Sequence, residues 1–133
     1  MSRKVAREYA YKLIFEYTFL RVTNPRTLQM FVHADLDETD IAYLERTYNG
    51  VIAHYDEILS TISHYAHGFA IDRIYKPDLS ALLLAIYEMK YENDIPLNVS
   101  ISEAVILVKK FSTENSSSFV NGILSSVYKE IMG

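Results

Sequence analysis

Apolar residues recur along most of this chain at steps of three and four, the spacing that gathers them on one face of a helix. From Arg3 to about Leu20 the stripe is Ala6, Ala10, Leu13, Tyr17 and Leu20. Asn24-Pro25 starts a second, short helix, with proline at a position whose missing N–H costs nothing, and it runs to about His33. The acidic segment Asp35 to Asp40 forms a loop and the first turn of the next helix, where carboxylates suit the positive end of the dipole. Ile41, Leu44, Tyr48, Val51, Ile52, Tyr55, Leu59 and Ile62 extend one stripe to about Ala66. That is long for a small domain, so a break is expected near Asp56, with a kink at Gly50.

Gly68 ends this pair, and Phe69 to Lys76 carries a short helical turn with Arg73. Pro77 opens a helix whose Leu79, Leu82, Leu83, Ala85, Ile86 and Met89 leave no polar face, so it is expected at the centre. Glu88 is the only acidic residue between Asp78 and Glu92 there, either at a rim or paired. Asn93-Asp94-Ile95-Pro96 is a turn, and Ser100-Ile101-Ser102-Glu103 has the spacing of a capping box. The helix it would open reaches about Phe111, the serines and asparagine of 112–118 supply turn and cap positions, and a last helix spans about Ser116 to Ile131. No segment alternates convincingly as a strand. The expectation is an all-α chain of about seven helices, residues 1–133 forming one domain.

Composition narrows the class of function. The 133 residues contain no cysteine, which excludes disulfides and cysteine-ligated zinc and fits a reducing compartment. No signal segment or long apolar run is present, so a cytoplasmic protein without membrane association is expected. Thirteen Lys+Arg against seventeen Asp+Glu give a net charge of −4, which disfavours broad coating of nucleic acid but permits a local patch. Residues 1–12 hold such a patch: Arg3, Lys4, Arg7 and Lys12 against Glu8. Cations at a helix start oppose the dipole by about 0.3–1 kcal/mol each, so a polyanionic partner is a reason to keep them. Alternatively they form an ordinary solvated face.

The stretch Lys109-Lys110-Phe111, then serines, then Phe119-Val120-Asn121-Gly122, sets aromatics beside lysines and hydroxyls. Phe119 reads either as the first core residue of the last helix or as a platform on which a base stacks. His54, His64 and His67 lack an acidic partner at suitable spacing and are assigned to helix ends, not to a metal. No phosphate loop, cysteine nucleophile or Gly-x-Ser-x-Gly elbow occurs, and no cofactor or enzyme activity is expected.

Several of these segments together resemble the NusB family of bacterial transcription antitermination factors. They are Ala85-Ile86-Tyr87-Glu88-Met89, Ile95-Pro96, Glu103-Ala104-Val105, Lys109-Lys110-Phe111 and Phe119-Val120-Asn121-Gly122-Ile123-Leu124, with support from Ala6-Arg7-Glu8 and Asp72-Arg73-Ile74. The resemblance implies two small helical bundles packed across one another. It implies binding of boxA RNA as a heterodimer with NusE, a ribosomal small-subunit protein, and through it an indirect tie to the RNA polymerase elongation complex. Carried over to this chain, Arg3, Lys4, Arg7, Lys110, Ser116, Ser117 and Phe119 would meet RNA, while Phe15, Tyr87, Glu88 and Asn115 would meet the protein partner. The alternatives are a protein-interaction module or homodimer of the same fold with weak RNA affinity, and the RNA-recognition part of a ribosomal RNA methyltransferase; the free protein is expected to be a monomer or a homodimer.

Overall fold

The computed structural model describes residues 3–32 and 36–133. It comprises α1 (Arg3–Leu20), α2 (Pro25–Val32), α3 (Glu38–Ala53), α4 (Tyr55–Tyr65), α5 (Lys76–Tyr91), α6 (Leu97–Phe111) and α7 (Ser116–Met132), with a 3-10 turn at Ile71–Arg73. No strand occurs among the described residues. His33 and Asp35, where the second helix was expected to end and the acidic segment to begin, lie outside them.

One group of helices is α1, α2 and α3, the other α4, α6 and α7, and α5 packs against both. This position follows from its composition. Every residue from Asp78 to Met89 is buried, because a helix with neighbours on opposite sides has no face to give to water. Leu79, Leu82 and Leu83 are essentially inaccessible, and each buried leucine contributes about 1.5–3 kcal/mol. Of the α1 stripe, Ala6, Ala10, Leu13 and Tyr17 join this core, whereas Leu20 remains exposed at the helix end.

The local signals act as expected at several ends. Asn24 Oδ1 accepts from the backbone amides of Arg26 and Thr27 at 3.2 and 3.3 Å, capping α2. Asp37 caps α3 through the Asp40 amide at 2.9 Å. The break in the long third stripe falls at His54, two residues before the position expected. Gly50 does not interrupt α3. The Tyr87 ring lies directly against its backbone, where any Cβ would overlap the ring.

One expectation fails at α6, and another is met only in part at α7. Ser100 and Glu103 do not form a capping box: α6 begins at Leu97, and the amides of Val99 and Ser100 are satisfied by the Pro96 carbonyl. Their side chains are used elsewhere, as described below. At α7 the N-cap Asn115 makes no capping bond through its side chain. The turn is held by the buried Ser116 hydroxyl, which accepts from the Thr113 amide at 3.2 Å and lies 2.9 Å from the hydroxyls of both Ser112 and Thr113.

Candidate functional site

The basic start of α1 divides into interior and surface residues. Arg7 is 5% exposed, and its guanidinium donates to both carboxylate oxygens of Glu88, Nε at 2.9 Å and Nη2 at 3.2 Å. Glu88 also accepts from the Tyr43 hydroxyl and, at 2.8 Å, from Ser100. Glu103 adds a second carboxylate 3.5 Å from Arg7. Thus Arg7, expected to meet phosphate, and Glu88, expected to meet a basic protein, meet each other across the α1–α5 contact. The cause is burial: a carboxylate 1% exposed must be paired and hydrogen-bonded. Burial lowers the Arg7 pKa, but the hydrogen bond to Glu88 together with the electrostatic influence of Tyr43, Glu88 and Glu103 more than reverses this, so the net shift is upward. Tyr43 is pushed well above the ordinary phenol range by burial and then by the charge of Glu88.

Arg3, Lys4 and Lys110 stay at the surface in loose pairs. Arg3 reaches Asp40 at 3.4 Å and lies over the Tyr43 ring, while Lys4 is 3.7 Å from Glu103. Lys110 Nζ is 3.0 Å from Glu8, which Lys12 also approaches at 3.7 Å. Glu8 therefore joins the end of α6 to α1, bringing Lys110 beside the basic start of the chain.

Next to these cations lies an aromatic strip. Tyr11, Phe15 and Phe19, at i, i+4 and i+8, follow one side of α1. Phe111 stacks on Tyr11 with centroids 5.5 Å apart, and Phe15 meets Phe19 edge to face at 5.0 Å. Tyr11, Lys12, Phe15, Pro77 and Phe111 line a cavity of about 250 Å³. Lys12 and Lys110 sit 5.5 and 5.2 Å from the Phe111 ring. Phe15 thus belongs to an accessible surface. Tyr87 does not share it: the residue is buried, 3.3 Å from Glu92 and against Gly50.

The lysine–serine–phenylalanine stretch is also split by the fold. Ser116 is buried in the turn, Ser117 and Phe119 are half-buried, and Asn115 is exposed. Phe119 packs at the edge of the core and meets Phe69 edge to face, centroids 5.3 Å apart. Sequence reasoning left Phe69 out of the site. It missed the Tyr11–Phe111 stack as well, although the i, i+4, i+8 spacing of Tyr11, Phe15 and Phe19 signals an aromatic face. No group of three or more histidine or carboxylate side chains placed for a metal occurs among the described residues. Nor is any helix among them long and apolar enough to cross a membrane.

Comparison with known proteins places this geometry. The model of the NusB family matches residues 4–129. Transcription antitermination protein NusB of Acetivibrio thermocellus is 41% identical over 133 residues, covering 97% of this chain and 90% of the relative. That of Bacillus subtilis (strain 168) is 36% identical over 131 residues, covering 98% of each. Among solved structures, T. maritima NusB aligns with a TM-score of 0.91 at 32% identity, over 98% of this chain and 92% of that one. A chain from the crystal structure of antitermination factors NusB and NusE in complex with dsRNA aligns with a TM-score of 0.85 at 25% identity, over 96% of both chains. With the family pattern spanning almost the whole sequence and the fold agreeing over the same length, the chain belongs to the NusB family.

Proposed function

We propose that this protein is a cytoplasmic transcription antitermination factor that binds boxA RNA together with NusE and supports read-through of ribosomal RNA operons. It acts as one domain, by binding and not by catalysis. The observation that carries this reading is the near-full-length similarity to antitermination proteins, one of them solved with NusE and RNA.

The arrangement of side chains supports a division of labour. Lys4 and Lys110, with Arg3 in part, supply cations for phosphates from the α1–α6 seam, and Ser117 and Phe119 lie farther along the RNA surface. Arg7 and Ser116 act from inside, holding α1 and the α6–α7 turn in place. The strip containing Phe15 is suited to a protein partner, with Asn115 at the edge of the other surface. Glu88 and Tyr87 contribute to the partner face only by fixing α5.

The test is a titration of labelled single-stranded boxA RNA with this protein, with and without NusE, at several salt concentrations. If three phosphates are neutralised, log affinity should fall against log salt with a slope of about −2, since each contact on a single strand contributes roughly 0.7. Absent or salt-insensitive binding in the presence of NusE would refute the RNA role.

A further inference from the structure

Phe119 is the aromatic that sequence reasoning assigns to the RNA bases, but its ring is half-buried against the core. The ring beside it is better presented. Phe69 is 52% exposed and stands at 67° to Phe119. In such an edge-to-face pair no base can enter between the rings, so a base must stack on the outer face of the more exposed one. The backbone holds Phe69 in this attitude. Gly68, at φ +83°, turns the chain after α4, and the Phe69 amide donates to the Ala66 carbonyl at 2.9 Å.

The surroundings are those of a nucleotide site. Phe69, Arg73, Tyr75, Asp78, Asn115 and Phe119 line an open groove of about 220 Å³. Arg73 is exposed at its rim and forms no ion pair among the described residues. Tyr75 is 57% exposed, giving a second aromatic surface. Asp78 is mostly buried, with one carboxylate oxygen accepting from Ser112 at 2.6 Å. A carboxylate repels phosphate and accepts from the amino and imino N–H groups on a base edge. The charges therefore favour a base pointing inward, towards Asp78 and Asn115, with its phosphate outside at Arg73. Recognition of unpaired bases commonly combines stacking, hydrogen bonds to the base edge and a cation on the backbone.

We infer that this groove holds one unpaired RNA nucleotide, with Phe69 as the stacking platform, Phe119 as its buttress and Arg73 as the phosphate contact. The assignment rests on the RNA-binding reading above and adds Phe69, Arg73 and Asp78 to it.

The experiment uses the full chain with NusE and labelled single-stranded boxA RNA. Phe69→Leu should weaken RNA binding about fivefold or more, the lower range for loss of one base–aromatic stack. Its effect should vanish when one particular nucleotide of the probe is made abasic, a coupling that a general loss of stability would not produce. Arg73→Gln should make the salt slope shallower by about 0.7, one phosphate on a single strand. NusE affinity, measured separately without RNA, should be unchanged in both variants. Failure of the wild-type complex to bind RNA would remove this inference together with the reading it rests on. Normal wild-type binding, with both variants unaltered in affinity and slope, would overturn the groove alone. So would loss of NusE affinity with RNA binding by the isolated protein intact, since that result makes the groove a protein-docking surface.

Discussion

Truncating Arg7 to alanine separates two roles, the phosphate contact expected from the sequence and the interior ion pair seen in the structure. Glu88 would lose the two guanidinium bonds of 2.9 and 3.2 Å and keep only the hydroxyls of Tyr43 and Ser100. Its carboxylate, 1% exposed, would then sit in the interior without a counter-charge, with Glu103 nearby. Removing one member of a buried pair typically costs about 3–5 kcal/mol because the other charge is left stranded. A domain's whole stability is about 5–15 kcal/mol, so the variant should lose a large fraction of it. Urea unfolding followed by far-UV circular dichroism at neutral pH measures the loss as a lower midpoint at unchanged slope. The double variant Arg7→Met with Glu88→Leu buries no charge, and should be more stable than Arg7→Ala even though Tyr43 and Ser100 lose an acceptor. A cost below about 1 kcal/mol for Arg7→Ala would refute the interior role. Unchanged stability with weakened RNA binding would return Arg7 to the phosphate surface.

Other perturbations test the packing and the turn. Gly50→Ala would drive a methyl group into the Tyr87 ring and should cost about 1–3 kcal/mol of overpacking, read as a lower urea midpoint. Ser116→Ala removes the acceptor of the Thr113 amide and the partner of two hydroxyls, and should cost about 1–3 kcal/mol by the same measurement. Tyr43 and Tyr11 both titrate above the ordinary phenol value of 10.0, each through burial first, then through the charges of Glu88 and Asp78 respectively. The raised folded-state values mean that their contribution is fully present below pH 10.0 and is lost as pH rises through the shifted range. Stability should therefore fall above pH 10, and Tyr43→Phe should flatten that fall; an identical alkaline limb in the variant would contradict the assignment.

What was legible in the sequence depended on whether its cause was local. The course of α5 could be read because its apolar residues leave no polar face, which forces a central position whatever packs around it. The ends at Asn24-Pro25 and Gly68 could be read because capping and positive φ are properties of a few neighbouring residues. The capping box at Ser100 was misread for a related reason. Ser-x-x-Glu occurs inside helices as well as at their starts, and Pro96, closer to the turn, already accepts the first amides. The Arg7–Glu88 pair joins residues 81 apart, so no local pattern contains it. Each partner alone looks like a surface charge. Only the isolation of Glu88 on an apolar helix pointed to an interior partner, and it could not name Arg7. The Phe69 face was hidden likewise, because its prominence arises from a turn that sets it edge to face with a residue fifty positions later.

The cations that remain at the surface bear on how strongly this protein can hold RNA. A basic helix start opposes its own dipole, and here carboxylates from other helices relieve part of that cost, Asp40 near Arg3 and Glu103 near Lys4, while Glu8 of α1 itself lies between Lys110 and Lys12. The pairs made by the exposed lysines contribute only about 0–1 kcal/mol, so phosphates can displace them at small cost. The carboxylates then act as competitors that set the affinity. Glu8 is the most informative because it lies within 4 Å of two lysines. Glu8→Gln removes the competing charge while keeping the side chain's size. It should tighten RNA binding by about two- to fivefold, the equivalent of one exposed pair, most clearly at low salt where surface charges are least screened. Unchanged or weaker binding, with stability intact, would show that Lys110 does not face the RNA, and the phosphate track would then have to be drawn away from the α1–α6 seam.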